Sequence, residues 1–293
     1  MKRLIIIFTL IVIVLSAVTS VLGALTFRDS AYRTVESYRG ETVEILDEGL
    51  YRYATTQIAG EGIAWDAVRI VLLIPVLIVS FVLYLKGSLR GALVFIGMLA
   101  SFFYQYLLWA IGWPFNPLFL AYVVIEALAL TTVVLTIASI DPRSLAGRFD
   151  RVPSRGLAWF TIAVGAMLLL LWLKEIVPAT LTSELPPAFR GLHTMFVQAV
   201  DLGLIVPFSL FTGTLLLSRN VYGYLLSGIG LMFMISMGLV IVAGVVLAGI
   251  RTGRMDFAGL GIFVVVTGAA AAFLVTVLRR IPAGSFGVKP SLR

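Results

Sequence analysis

Long apolar stretches separated by short polar ones run the whole length of the chain. Eight of them, at residues 4–27, 67–85, 91–112, 117–139, 157–174, 194–217, 222–250 and 257–278, are candidate membrane spans, because roughly 20 apolar residues at ~1.5 Å each cross ~30 Å of hydrocarbon. The pattern predicts an all-α membrane protein, a bundle of about eight transmembrane helices in a single transmembrane domain over residues 1–293. The first run follows Lys2 and Arg3 and also has the look of a secretory signal, with residues 21–24 as a cleavage region. Its length favours an uncleaved anchor; cleavage would leave seven helices.

Alternating the spans from a cytoplasmic N-terminus sorts the charges. The segments placed inside carry Lys2, Arg3, Lys86, Arg90, Arg143, Arg148, Arg151, Arg155, Arg219, Arg279, Arg280, Lys289 and Arg293 against Asp141 and Asp150 alone. Basic residues gather on the cytoplasmic side of membrane proteins. The sequence therefore predicts both termini in the cytoplasm, a short basic cytoplasmic tail at 279–293, and multi-pass residence in a prokaryotic cell membrane. The sizeable outer segment, residues 28–66, reads as a largely helical extracytoplasmic loop interrupted by Gly40, Gly49, Gly60 and Gly62. Tyr32, Tyr38, Tyr51, Tyr53 and Trp65 are its interfacial anchors.

Composition narrows the chemistry. Of 293 residues 60% are hydrophobic and 13% charged, with a mean hydropathy of +1.05; a soluble domain carries about 25% charged residues. The net charge of +7 follows membrane side, so it is read as topology and not as a nucleic-acid surface. The absence of cysteine and the single His193 remove thiolate and histidine-rich metal sites, and no cofactor is expected. A nucleophile elbow is not formed by Ala283-Gly284-Ser285-Phe286-Gly287, which lacks the first glycine.

Ionisable groups deep in a membrane are costly and mark functional sites by default. Glu126 and Asp201 are the two such carboxylates, in spans four and six. Tyr104 and Gln105 in span three, Gln198 in span six, Arg69 near the start of span two and Lys174 at the end of span five lie at similar depth. Together they predict one polar pocket opening outward, built from spans two, three, four and six, in which Arg69 or Lys174 pairs with a carboxylate. The alternative is that these groups only lock helices together. Pro75 and Pro207 should bend spans two and six, and Asn116 is placed to cap span four, with Pro117 at its first position. No internal repeat is evident. Small residues in the last two spans, such as Gly223 and Ser227, suit close helix packing; the oligomeric state is open.

The chain resembles a group of prokaryotic multi-span integral membrane proteins with no known activity. The resemblance is carried by Gly49-Leu50-Tyr51-Arg52-Tyr53, Phe115-Asn116-Pro117-Leu118-Phe119, Leu171-Trp172-Leu173 with Glu175-Ile176-Val177-Pro178, Asp201-Leu202 and Tyr222-Gly223-Tyr224. It departs at Lys174 and over Ala188 to Val200. It implies no substrate, and it implies that the stretch around Tyr51 is an integral part of the fold. Three functions stay open: a protein that binds or transports a small molecule or ion through the outward pocket, an intramembrane enzyme acting on a lipid or isoprenoid, and a non-catalytic partner or sensor module docking through residues 28–66. The lipid bilayer is the expected partner, with a small-molecule or lipid ligand and no nucleic acid.

Overall fold

A computed structural model describes residues 1–27, 32–37, 40–183, 185–186, 192–253, 255–282, 284 and 286–287. Tyr38, the stretch 28–31, Ala188, Ala283, Ser285, Lys289 and Arg293 lie outside the described residues. Eight helices are long and apolar enough to cross a membrane, and the chain is a multi-pass membrane protein. They are α1 (Lys2–Thr26), α2 (Thr56–Leu85), α3 (Leu89–Gly112), α4 (Phe119–Ser139), α5 (Ser154–Thr182), α6 (Phe196–Leu217), α7 (Val221–Thr252) and α8 (Phe257–Arg280). The most enclosed is α3, which packs against α2, α4, α6 and α7.

Between α1 and α2 the expected helical loop is instead an antiparallel hairpin, β1 (Tyr32–Glu36) and β2 (Thr42–Leu46), with Val35 opposite Val43. Thr34, Val35, Thr42, Val43 and Ile45 are β-branched and stiff at χ1, which favours the pleated chain over the helix. Tyr51, expected at the interface, turns inward and is 2% exposed. Helix α2 starts eleven residues before the predicted span, where the Thr55 hydroxyl accepts from the Ile58 N–H. Asp66 therefore belongs to a helix and not to a loop. Asn116 does accept from the Leu118 N–H at 2.9 Å, but α4 begins at Phe119 and leaves Pro117 outside it.

The loops sort into two ends of the bundle. At the hairpin end, residues 47–53 meet Phe115, Asn116 and Pro117 around a cavity of about 510 Å³. At the opposite, tail end, the start of the C-terminal segment is tied back: Phe286 N–H donates to Gly87 O, and Arg90 and Arg280 donate to the carbonyls of Ile281 and Arg151.

The first four helices and the last four share a set of local backbone features. In α2 the Ile74 N–H reaches back five residues to Arg69 O, one residue before Pro75; in α6 the Val206 N–H reaches Asp201 O, one residue before Pro207. A proline lacks the N–H and crowds the carbonyl of the preceding turn, and one widened turn relieves both helices at the same place. The correspondence, 132 residues apart, continues around the next corner. Lys86, Gly87 and Ser88 donate to Val82, Tyr84 and Leu83; Ser218, Arg219 and Asn220 donate to Thr214, Leu216 and Leu215. Gly87 and Arg219 both have positive φ, +79° and +54°, and Ser88 and Asn220 cap α3 and α7 with their side chains.

The outer helices of each half match too. α1 reaches Arg69 through Ser20 and α5 reaches Asp201 through Trp172, which sets α1 against α5 at 152 residues. Buried Ala129, Thr132, Thr136 and Ser139 of α4 recur in α8 as Thr267, Ala270, Leu274 and Val277 with the same spacing. Packing follows suit in part: α1 on α2 as α5 on α6, α2 on α3 as α6 on α7, α3 on α4 as α7 on α8, while α1 on α4 has no close equivalent among the described residues of α5 and α8. The halves meet where α3 crosses its counterpart α7, with Gly97 against Met232. Four helices separate each from its counterpart, an even number, so equivalent helices run the same way, as in a parallel rather than an inverted repeat.

Candidate functional site

The predicted polar residues do not form one pocket. Arg69 and Asp201 fall in two clusters on opposite faces of α3, where Tyr104 and Tyr106, two residues apart, point ~200° from each other.

The first cluster is an ion pair inside the first half. Arg69, 1% exposed, donates from Nη1 to Asp66 Oδ1 at 3.2 Å and to Ser20 Oγ at 2.8 Å. Asp66, fully buried, also accepts from the Tyr51 hydroxyl on its other oxygen. The Arg69 guanidinium sits 4.6 Å from the ring centres of Tyr106 and Trp109, and Nη2, which has no hydrogen-bond partner, is accommodated by those rings as a cation on π faces. Trp113 leans on Tyr51 with ring centres 5.4 Å apart and closes the hairpin end. Burial, reinforced by the neighbouring Asp66 carboxylate, pushes the Tyr51 hydroxyl well above the ordinary tyrosine range, so Tyr51 stays a donor. Arg69 thus pairs with Asp66, and with neither Glu126 nor Asp201.

The second cluster occupies the equivalent position of the second half, Asp201 standing where Arg69 stands in the first. Asp201 is 7% exposed. Its Oδ1 accepts from the Tyr104 hydroxyl at 2.6 Å and its Oδ2 from Trp172 Nε1 at 2.9 Å. Trp172 corresponds to Ser20, which serves Arg69 in the other half. Tyr104 is met edge-on by Phe233, ring centres 5.3 Å apart. No cation among the described residues pairs with Asp201. Gln198, equivalent to Asp66, is buried one turn nearer the hairpin end. Gln105, beside Tyr104 and 2% exposed, has no partner for its oxygen.

Glu126 joins neither group. It is half-buried on α4, which packs on α1 and α3, and its Oε2 has no hydrogen-bond partner. Lys174 is exposed on α5. Sequence reasoning missed Asp66, Ser20, Tyr51 and Trp172. The spacing of Asp66 and Arg69, three apart beside Trp65, is the signal that reveals the first pair once α2 is extended. Among the described residues no group of three or more acidic or histidine side chains is arranged to hold a metal. Searches against protein-family models, curated proteins and solved structures found no match to this chain.

Proposed function

We propose that the protein binds a small cation at Asp201 and carries it across the membrane. The observation supporting this reading is the uncompensated charge of the second cluster. Asp201 has two neutral donors, from Tyr104 and Trp172, and no cation on it among the described residues. An ionised carboxylate held away from water costs several kcal/mol unless a proton or a cation joins it. The first half, built on the same frame, supplies that partner internally as Arg69. The second leaves the role to a ligand, and the rings of Tyr104, Trp172 and Phe233 suit an ammonium or guanidinium group, which binds well over π faces.

Two parallel halves that meet along α3 and α7 and break at matching points suit a carrier in which one half rocks against the other. The hairpin end is the extracytoplasmic one in this proposal, with both termini in the cytoplasm of a prokaryotic cell, because the basic residues collect at the tail end. The test is a calorimetric titration of the purified full-length protein with butylamine. Saturable binding is expected for the parent and none for Asp201→Asn at unchanged melting temperature. Equal binding by the two would overturn the reading.

A further inference from the structure

Helices α5 and α6 run antiparallel and touch at successive rungs. A Cβ on Gly213 would meet Ile162, and one on Gly165 would meet Ser209; further toward the hairpin end Trp172 bonds Asp201. One turn beyond Trp172, on the same side of α5, stands Glu175. In the first half Ser20 bonds Arg69, and a Cβ on Gly23, the counterpart of Glu175, would fall 2.0 Å from Asp66. In the first half, then, this rung has a glycine facing a carboxylate. In the second the carboxylate has crossed to the other helix.

Glu175 is half-buried, and its Oε2 is shut off from solvent without a hydrogen-bond partner. Its neighbour Lys174 is exposed and ~100° round the helix, on a different face. Gln105, 98% shielded, holds an acceptor oxygen without a donor at the level of Asp201: its face of α3 continues two turns on to Gly112, where a Cβ would strike Phe196 at the start of α6. Among the described residues the second half thus holds two carboxylates without a salt bridge where the first half pairs one acid with one cation. Three residues of rise put the levels of Asp201 and Glu175 ~4.5 Å apart.

From this geometry we infer that the ligand is a short aliphatic diamine, one ammonium on Asp201 and the other on Glu175. The inference rests on the reading of Asp201 as a cation site and extends it. The Gln105 oxygen takes an N–H from the inner ammonium, the methylene stem lies along the faces of Trp172 and Phe233, and the second ammonium balances the charge that a monoamine leaves uncompensated. Glu175, nearer the hairpin end, meets the ligand first on entry from that side.

The test is calorimetric titration of the full-length protein in detergent with 1,4-diaminobutane and with butylamine. The parent should bind the diamine roughly tenfold more tightly, the worth of one additional ion pair in a partly solvated site. Glu175→Gln should shrink that ratio to under about threefold while butylamine binding is kept, and Glu175→Asp, which retains the charge, should preserve most of it. Asp201→Asn should abolish binding of both amines. Equal affinities in the parent, or a ratio that survives Glu175→Gln, would overturn the diamine and leave the cation site standing. Failure of both amines to bind the parent would overturn the two readings together.

Discussion

Replacing Asp66 by Asn separates a structural ion pair from a ligand site. Arg69 Nη1 lies 3.2 Å from Asp66 Oδ1 with both side chains at or below 1% exposure, so at an effective dielectric near 20 their attraction is about 5 kcal/mol. Most of that offsets the cost of taking both charges from water. Removing one charge leaves the other buried and uncompensated, which costs about 3–5 kcal/mol, and for a chain of this size lowers the melting temperature on the order of 10 °C. Differential scanning fluorimetry of detergent-purified Asp66→Asn should show that fall. The double variant Asp66→Asn with Arg69→Met should regain at least half of it, because no charge is then stranded. Asp201→Asn should melt near the parent, since it loses a charge that has no counter-ion among the described residues. A melting temperature for Asp66→Asn within about 2 °C of the parent, or a double variant no better than the single, would refute the reasoning.

Three further outcomes follow from the packing. Gly91→Ala and Gly223→Ala should destabilise by similar amounts, about 1–3 kcal/mol each, because the new Cβ would lie 2.4 Å from Leu83 in one half and 2.7 Å from the Leu215 backbone in the other; a large effect in one with none in the other would argue against equivalent corners. Gly97→Ala should destabilise by about 1–3 kcal/mol, because its Cβ would lie 2.6 Å from Met232 Cβ and 2.7 Å from the Ile229 carbonyl oxygen; an unchanged melting temperature would contradict the seam between α3 and α7. Thr34→Cys, on the exposed strand β1, should react with an impermeant maleimide in intact cells, and reaction only after lysis would reverse the orientation.

The spans were legible because each is an unbroken apolar run, and length alone decides whether a helix crosses hydrocarbon. The hairpin was not, since alternation in β2 covers only Thr42 to Leu46, and glycines nearby read equally well as helix interruptions. The likeness of the two halves escaped notice for a physical reason: what they share is mostly backbone. A widened turn before a proline, a positive-φ corner and a side-chain cap each tolerate different residues, so Arg69 answers to Asp201, Gly87 to Arg219 and Ser88 to Asn220. The depth of Asp201 was visible, as was its companion Tyr104. Trp172 was not, because a tryptophan in an apolar span reads as a lipid anchor and only helix packing shows its N–H turned inward. Arg69 was assigned the wrong partner because a charge at position 66 looked like the end of a loop.

The account turns on one claim, that the two clusters on α3 have parted roles, the first closed on its own arginine and the second open to a cation. A density map of the full-length protein incubated with 1,4-diaminobutane tests it directly. The account predicts added density between Asp201 and Glu175 that is missing from Asp201→Asn treated in the same way. Density at Asp66 and Arg69 instead, or density unchanged by the substitution, would contradict it.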